Sequence, residues 1–174
     1  MEKLDNESLK ELPEKEHQLA REIVEYSLQK RYYQGHKIKG NILVAYFCEP
    51  ARYLKYDQDG EAIVEDPKEE NAYIGIAIHH AETMHFLDRL SVSVKVFDAS
   101  NKLIGVHPHP FHARPGLHNY GHNWKLPGDG LYNLHVTVEI TQKQREEMVE
   151  CELPTGICEV IFHNIKIVTG KHVS

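Results

Sequence analysis

The sequence predicts an all-β fold, a sandwich or small barrel of about seven antiparallel strands with one amphipathic helix in front of it. Three observations lead there. Apolar and polar residues alternate without a fault in Leu90-Ser-Val92-Ser-Val94-Lys-Val96 and in Tyr132-Asn-Leu134-His-Val136-Thr-Val138-Glu-Ile140, the period of two that half-buried antiparallel strands require. Turn-forming residues recur at Asp57-Gln-Asp-Gly60, Asp98-Ala-Ser-Asn101, Pro127-Gly-Asp-Gly130 and Pro154-Thr-Gly156, where Asp, Asn, Pro and Gly favour tight reversals. No helical crossover of the kind a parallel sheet needs separates the apolar runs.

The elements follow in order. Residues 1–35 form an N-terminal extension: after Pro13, a favourable first-turn residue, Leu19, Ile23 and Tyr26 recur at i, i+4 and i+7 among charged residues, and Gly35 supplies a stop. Residues 36–174 form the β-domain. Strands are expected at 38–47, 61–65, 72–79, 90–96, 102–106, 132–140 and 157–168. Between two of them lies 107–124, HPHPFHARPGLHNYGHNW, with three prolines. It is too long for a hairpin and is expected to be a functional loop.

Composition narrows the chemistry. With 174 residues the chain makes one ordinary domain. Its net charge of −6 has the wrong sign for a partner made of phosphates, so nucleic acid is set aside. Cys48, Cys151 and Cys158 form no CxxC; the pattern suits a reducing compartment, with a Cys151–Cys158 bridge left open. The first 30 residues are charged throughout, and no run of 18 apolar residues occurs. As it stands, the sequence predicts neither a secretion signal nor a membrane span, hence a cytoplasmic protein. There is no GxSxG elbow and no Gly-rich phosphate loop.

What stands out is histidine, 13 residues, nine of them between 79 and 135. His107, His109, His112, His118 and His122 all fall in the proline-stiffened loop. Several neutral imidazoles at HxHxxH and HxxxH spacing suit zinc, copper, nickel or ferrous iron. His79 ends a strand on the face opposite Ile74, Ile76 and Ile78, where Gly75 and Ala77 leave room. The expected metal ligands are His79 with His112, His118 and His122, and His107 and His109 behind them. Asp129 is the only carboxylate between 99 and 138, which argues against a calcium or magnesium site.

The run Asn119-Tyr120-Gly121-His122-Asn123-Trp124-Lys125-Leu126-Pro127-Gly128-Asp129-Gly130-Leu131-Tyr132 resembles the HYGxNxxLxGxGxY segment of the periplasmic high-affinity iron transport protein family, and Ile76-Ala77-Ile78-His79-His80-Ala81 resembles its EADIHA strand. The resemblance spans roughly residues 40–140 and implies an immunoglobulin-like β-sandwich that binds copper and iron, dimerises and works in the periplasm. Residue by residue it carries less. Where the family pattern HxEADIH offers two histidines and two carboxylates, this chain has Tyr73, Gly75, Ala77 and His79. His112 stands in place of the family's loop methionine and Asn119 in place of the histidine of HYG, while His163 is the nearest counterpart of its last ligand. Losing a thioether and a glutamate while gaining imidazoles favours borderline ions such as Cu(II), Zn(II) or Ni(II) over Cu(I), and the expected cofactor is a transition-metal ion, Cu(II), Zn(II) or iron.

The expected function is therefore a transition-metal-binding protein, more a binder than an enzyme, in metal uptake or homeostasis. Two alternatives stand beside it. Gly105-Val-His107-Pro-His109, with Pro127-Gly-Asp-Gly130 and His135, echoes cupins, metal-dependent oxygenase or isomerase barrels. A pH-responsive sandwich that binds a protein or a sugar would use the same histidines as titrating groups.

Overall fold

A computed structural model describes residues 32–140 and 156–172. The expected N-terminal helix falls on residues 1–31, outside the described residues. Among these, the chain is all β: β1 (Gly35–Lys39), β2 (Ile42–Glu49), β3 (Leu54–Tyr56), β4 (Ala62–Val64), β5 (Ala72–His80), β6 (Ser91–Asp98), β7 (Leu103–Pro108), β8 (Phe111–His112), β9 (Asn119–Trp124), β10 (Gly130–Ile140) and β11 (Gly156–Ile167).

Two antiparallel sheets face each other, one in the order β1-β2-β5-β9-β8 and the other β11-β10-β6-β7, with β3-β4 a separate hairpin. The architecture is thus a sandwich, not the closed barrel of the cupin alternative. Ile42, Val44, Ile74, Ile76, Ile78, Tyr120 and Trp124 of the first sheet join Val92, Val94, Val96, Leu134, Val136, Val138, Val160 and Phe162 of the second in one core. Strict alternation in β6 and β10 puts every second side chain into that core.

Local chemistry explains the turns. Asp57 Oδ1 accepts from the backbone N–H groups of Asp59 and Glu61 at 2.8 and 2.9 Å, and Asp98 Oδ1 does the same for Ser100 and Lys102, both at 2.9 Å. Such Asx turns satisfy the reversal's own donors. The run 38–47, expected as one strand, is a hairpin, because Gly40 adopts φ +60° and folds β1 back onto β2.

The larger departure concerns 107–124. Its first two residues belong to β7 and its last six are β9, an inner strand paired with β5 from Ala72↔Trp124 to Ile76↔Tyr120. Prolines and histidines mask the alternation, yet Tyr120, His122 and Trp124 follow one another on a single face. β8 takes Phe111–His112, and residues 109–110 and the short loop 113–118 are what remains.

β5 is buried at every residue. Its outer face is covered by a second apolar cluster in which Tyr33, Leu43, Ala45, Phe47, Tyr73, Ala77 and Leu117 pack together. Glycine is required where β9 passes beneath it: a Cβ on Gly121 would stand 1.8 Å from Tyr73 Oη and 2.6 Å from Asn119 Oδ1. Gly121→Ala is expected to cost about 3 kcal/mol, the upper range for overpacking a rigid interior. Urea denaturation of the variant checks this.

Candidate functional site

The six histidines expected to bind metal are sorted by what their ring nitrogens already do. His109 is buried, and both nitrogens are engaged: Nδ1–H donates to the Tyr120 carbonyl at 3.2 Å, and Nε2 accepts from the Trp124 indole N–H at 3.0 Å. An Nε2 that accepts carries no proton. Burial first of all, and then the neighbouring imidazoles His122, His107 and His112, hold His109 down to about 3, a backbone hydrogen bond opposing them.

The rings of His112 face two carbonyls, Nδ1 toward Tyr56 and Nε2 toward Gly121 at 3.0 Å. Carbonyl oxygens only accept, so a ring nitrogen that carries a proton donates to the carbonyl it faces. His112 is thereby a clamp between the β3–β4 hairpin and β9. The backbone bond from Ala113 N–H to the Asp57 carbonyl, 2.9 Å, reinforces it.

For the other four, no ring hydrogen bond occurs among the described residues, and they fall into two pairs. His107 on β7 and His122 on β9 meet at the open edge of the sandwich, ring centroids 4.6 Å apart and planes at 35°. Trp124 forms the floor, edge-on to both, at 4.5 Å from His107 and 6.1 Å from His122. His107 is exposed and His122 half-buried. Burial, with His107 and Lys55 adding positive charge nearby, lowers His122 to about 4, so it is the free base at neutral pH.

His79 and His118 flank the Phe86 ring instead, at centroid distances of 5.4 and 5.7 Å. His79 is 6% exposed, its Nδ1 is buried without a hydrogen-bond partner, and burial lowers it to about 4. The structure therefore joins His107 to His122, sets His79 and His118 each against the Phe86 ring, and gives His109 and His112 backbone or indole partners. Among the described residues, no three His, Cys, Asp or Glu side chains already converge as a metal would need.

The β5 face on which the resemblance implied a ligand set has other contents. The space expected beside Gly75 holds Phe47, whose Cζ would lie 2.1 Å from a Cβ there. Tyr73 Oη donates to Asn119 Oδ1 at 2.7 Å, and Asn119 Nδ2 donates to the Leu117 carbonyl at 3.1 Å. His163 is exposed on β11, in the other sheet.

Two charged residues were missed. Lys55 and Glu65, paired at 2.8 Å on the β3–β4 hairpin, lie close enough to His122 to exchange electrostatic influence with it. A count of carboxylates along the sequence around 107–124 passes over them, because the hairpin arrives through space. Asp129, which that count did include, accepts from Thr169 N–H and Oγ1–H, both at 2.7 Å.

The fold has counterparts among solved structures. FetP of uropathogenic E. coli superposes with a TM-score of 0.54 at 13% identity, over 78% of this chain and 93% of that one. Copper-reconstituted P19 from Campylobacter jejuni gives a TM-score of 0.58 at 12% identity, over 79% and 96%. The chain has the FetP and P19 fold. A copper-bound FetP variant matches equally, TM-score 0.54 at 13% identity over 78% and 95%. No family model matches the sequence, and no curated protein does.

Proposed function

We propose that the protein binds a transition-metal ion, Cu(II), Zn(II) or iron, at the His107–His122 pair, and that it serves metal uptake or homeostasis. The observation that carries this reading is two imidazoles in ring contact, one from each sheet, with no hydrogen bond to occupy them among the described residues. The donor set fits: imidazole suits borderline ions, and a half-buried neutral ring needs no deprotonation before it coordinates. The copper carried by the P19 and FetP proteins of the same fold supports it further. A bound ion would supply Lewis acidity or redox chemistry at the sandwich edge. The chain's own contribution is to hold both rings over Trp124. The resemblance extends the reading to a periplasmic setting, in which FetP was produced, and to a homodimer, which light scattering tests.

Trp124 is the single tryptophan, and its emission reports Cu(II) at the adjacent rings. In Cu(II) titrations, His107→Ala and His122→Ala are expected to bind at least about tenfold more weakly, as loss of one of few ligands implies. His118→Ala binds like wild type. Equal affinity of all three variants and wild type ends the reading. A second seat is favoured by one observation, the orphaned Nδ1 of buried His79. Weakening confined to His79→Ala and His118→Ala would place the ion there.

A further inference from the structure

The two sheets differ on the sides that face away from the core. An antiparallel sheet with one face in water carries polar side chains there, and the second sheet does: Ser91, Ser93 and Lys95 of β6 and Asn133, His135, Thr137 and Glu139 of β10 alternate with the core residues. The first sheet does not. Leu43, Ala45 and Phe47 of β2, with Tyr73 and Ala77 of β5, make its outer face apolar, and all five are buried. Tyr33 and Leu117 join them from outside the sheet. The Tyr33 ring meets Phe47 and His79 at centroid distances of 6.4 and 6.3 Å. Although it stands in this outer layer, Tyr33 is only 7% exposed. Phe47 and His79 approach it from the sheet side, and Tyr32, its chain neighbour, is exposed at the border. The outward side of the layer calls for a further cover.

The segment able to supply it is next in the chain. Gln34 N–H donates to the Tyr46 carbonyl at 2.9 Å, which fixes the entry to β1, and Tyr33 and Tyr32 lead back from there onto the apolar face, so residues 1–31 start out from the cluster itself. Leu19, Ile23 and Tyr26 form one apolar stripe among charged residues, and a helix of this kind is marginal in water until its stripe is buried. Residues 13–31 would reach about 28 Å as a helix, and a five-stranded sheet is about 20 Å across its strands. Ile38, on the same face of β1 through its pairing with Leu43, is exposed, which confines the seat to β2 and β5.

We infer that residues 13–31 form a helix that docks on the outer face of β2 and β5 of its own chain, the Leu19, Ile23 and Tyr26 stripe seated on Tyr33, Phe47 and Leu117. The occupant is the chain's own segment and not a second copy, because its tether ends at the seat and gives it a high effective concentration there. The docked helix also shuts His79, in ring contact with Tyr33, away from solvent. None of this depends on a bound metal.

Hydrogen–deuterium exchange of the whole chain, followed peptide by peptide, is the test. Backbone amides of residues 19–28 are expected to exchange at least about tenfold more slowly in the wild type than in Ile23→Asp, as docking of an otherwise fraying segment implies. Leu117→Asp and Tyr33→Asp, which place a charge in the seat, are expected to remove the same protection, whereas Leu131→Asp, exposed on the other sheet, leaves it intact. Equal exchange in wild type and Ile23→Asp overturns the inference, as does protection that survives in folded Leu117→Asp or Tyr33→Asp protein. Protection that disappears on dilution, with a dimeric mass by light scattering, puts the segment on a second copy and overturns it as well. Thermal denaturation shows that a variant is folded, and the two seat variants stand in for each other if one is not.

Discussion

Lowering the pH from 7 to 5 is expected to remove about 4 kcal/mol of stability through His79 and His109 alone, a contribution of about 2 kcal/mol from each imidazole kept neutral in the fold. Burial lowers His79 to about 4 and His109 to about 3. In the unfolded chain both titrate near 6.5. Between those values the unfolded state binds more protons than the folded one, so acid draws the equilibrium toward unfolding. Above pH 6.5 both states are neutral and the effect is absent. His109 has a further reason to resist protonation, since a proton on Nε2 would confront the Trp124 indole N–H. Urea midpoints at pH 7, 6 and 5 read the loss. His79→Leu should retain about half of it, because one of the two groups is gone. A midpoint that does not move with pH in the wild type would refute the assignment of two buried neutral rings.

Trp124→Ala carries the largest expected cost of any single substitution. The indole is 1% exposed and packs in the main core between the two sheets. Removing it forfeits about 3 to 5 kcal/mol of packing. It also leaves His109 Nε2 buried without its donor, a further cost of about 1 to 3 kcal/mol. A domain of this size has about 5 to 15 kcal/mol in total, so Trp124→Ala should be largely unfolded or melt far below the wild type. Trp124→Phe separates the two effects: it keeps most of the volume and loses the hydrogen bond, and about 2 kcal/mol is expected. A melting temperature for Trp124→Phe equal to that of wild type would show that the indole–imidazole bond contributes nothing net.

The two predictions share a lesson about imidazoles. His107, His109 and His122 look alike in the sequence, small polar interruptions in a proline-rich stretch. In the fold, His109 is buried and tied to Tyr120 and Trp124, whereas His107 and His122 meet across the sheets with no ring hydrogen bond among the described residues. The difference is made by partners 11 and 15 residues away for His109, and 56 residues away for His112. Such partners are invisible to any reading of spacing. The same holds for Lys55, whose charge acts on His122 from the β3–β4 hairpin, 67 residues away in the chain.

Misreading 107–124 as a loop has a related cause. Alternation reveals a strand when one of its faces is apolar and the other polar, as in β6 and β10. β9 is an inner strand with burial on both faces, and its inward row is Tyr120, His122 and Trp124 while its outward row is Asn119, Gly121 and Asn123. Neither row stands out by hydropathy, so the pattern is hidden even though the pairing with β5 is regular.

What the sequence determined by itself is the antiparallel all-β architecture: side-chain alternation and turn chemistry act over two to four residues, and they placed β5, β6, β10 and β11, while the choice of sandwich over barrel was implied only by the family resemblance. What only the tertiary structure decided is which histidines have ring nitrogens to spare. A nitrogen's fate depends on the carbonyl, indole or ring that long-range strand pairing sets against it, and that pairing, unlike the period of a strand, is written nowhere in a stretch of neighbouring residues.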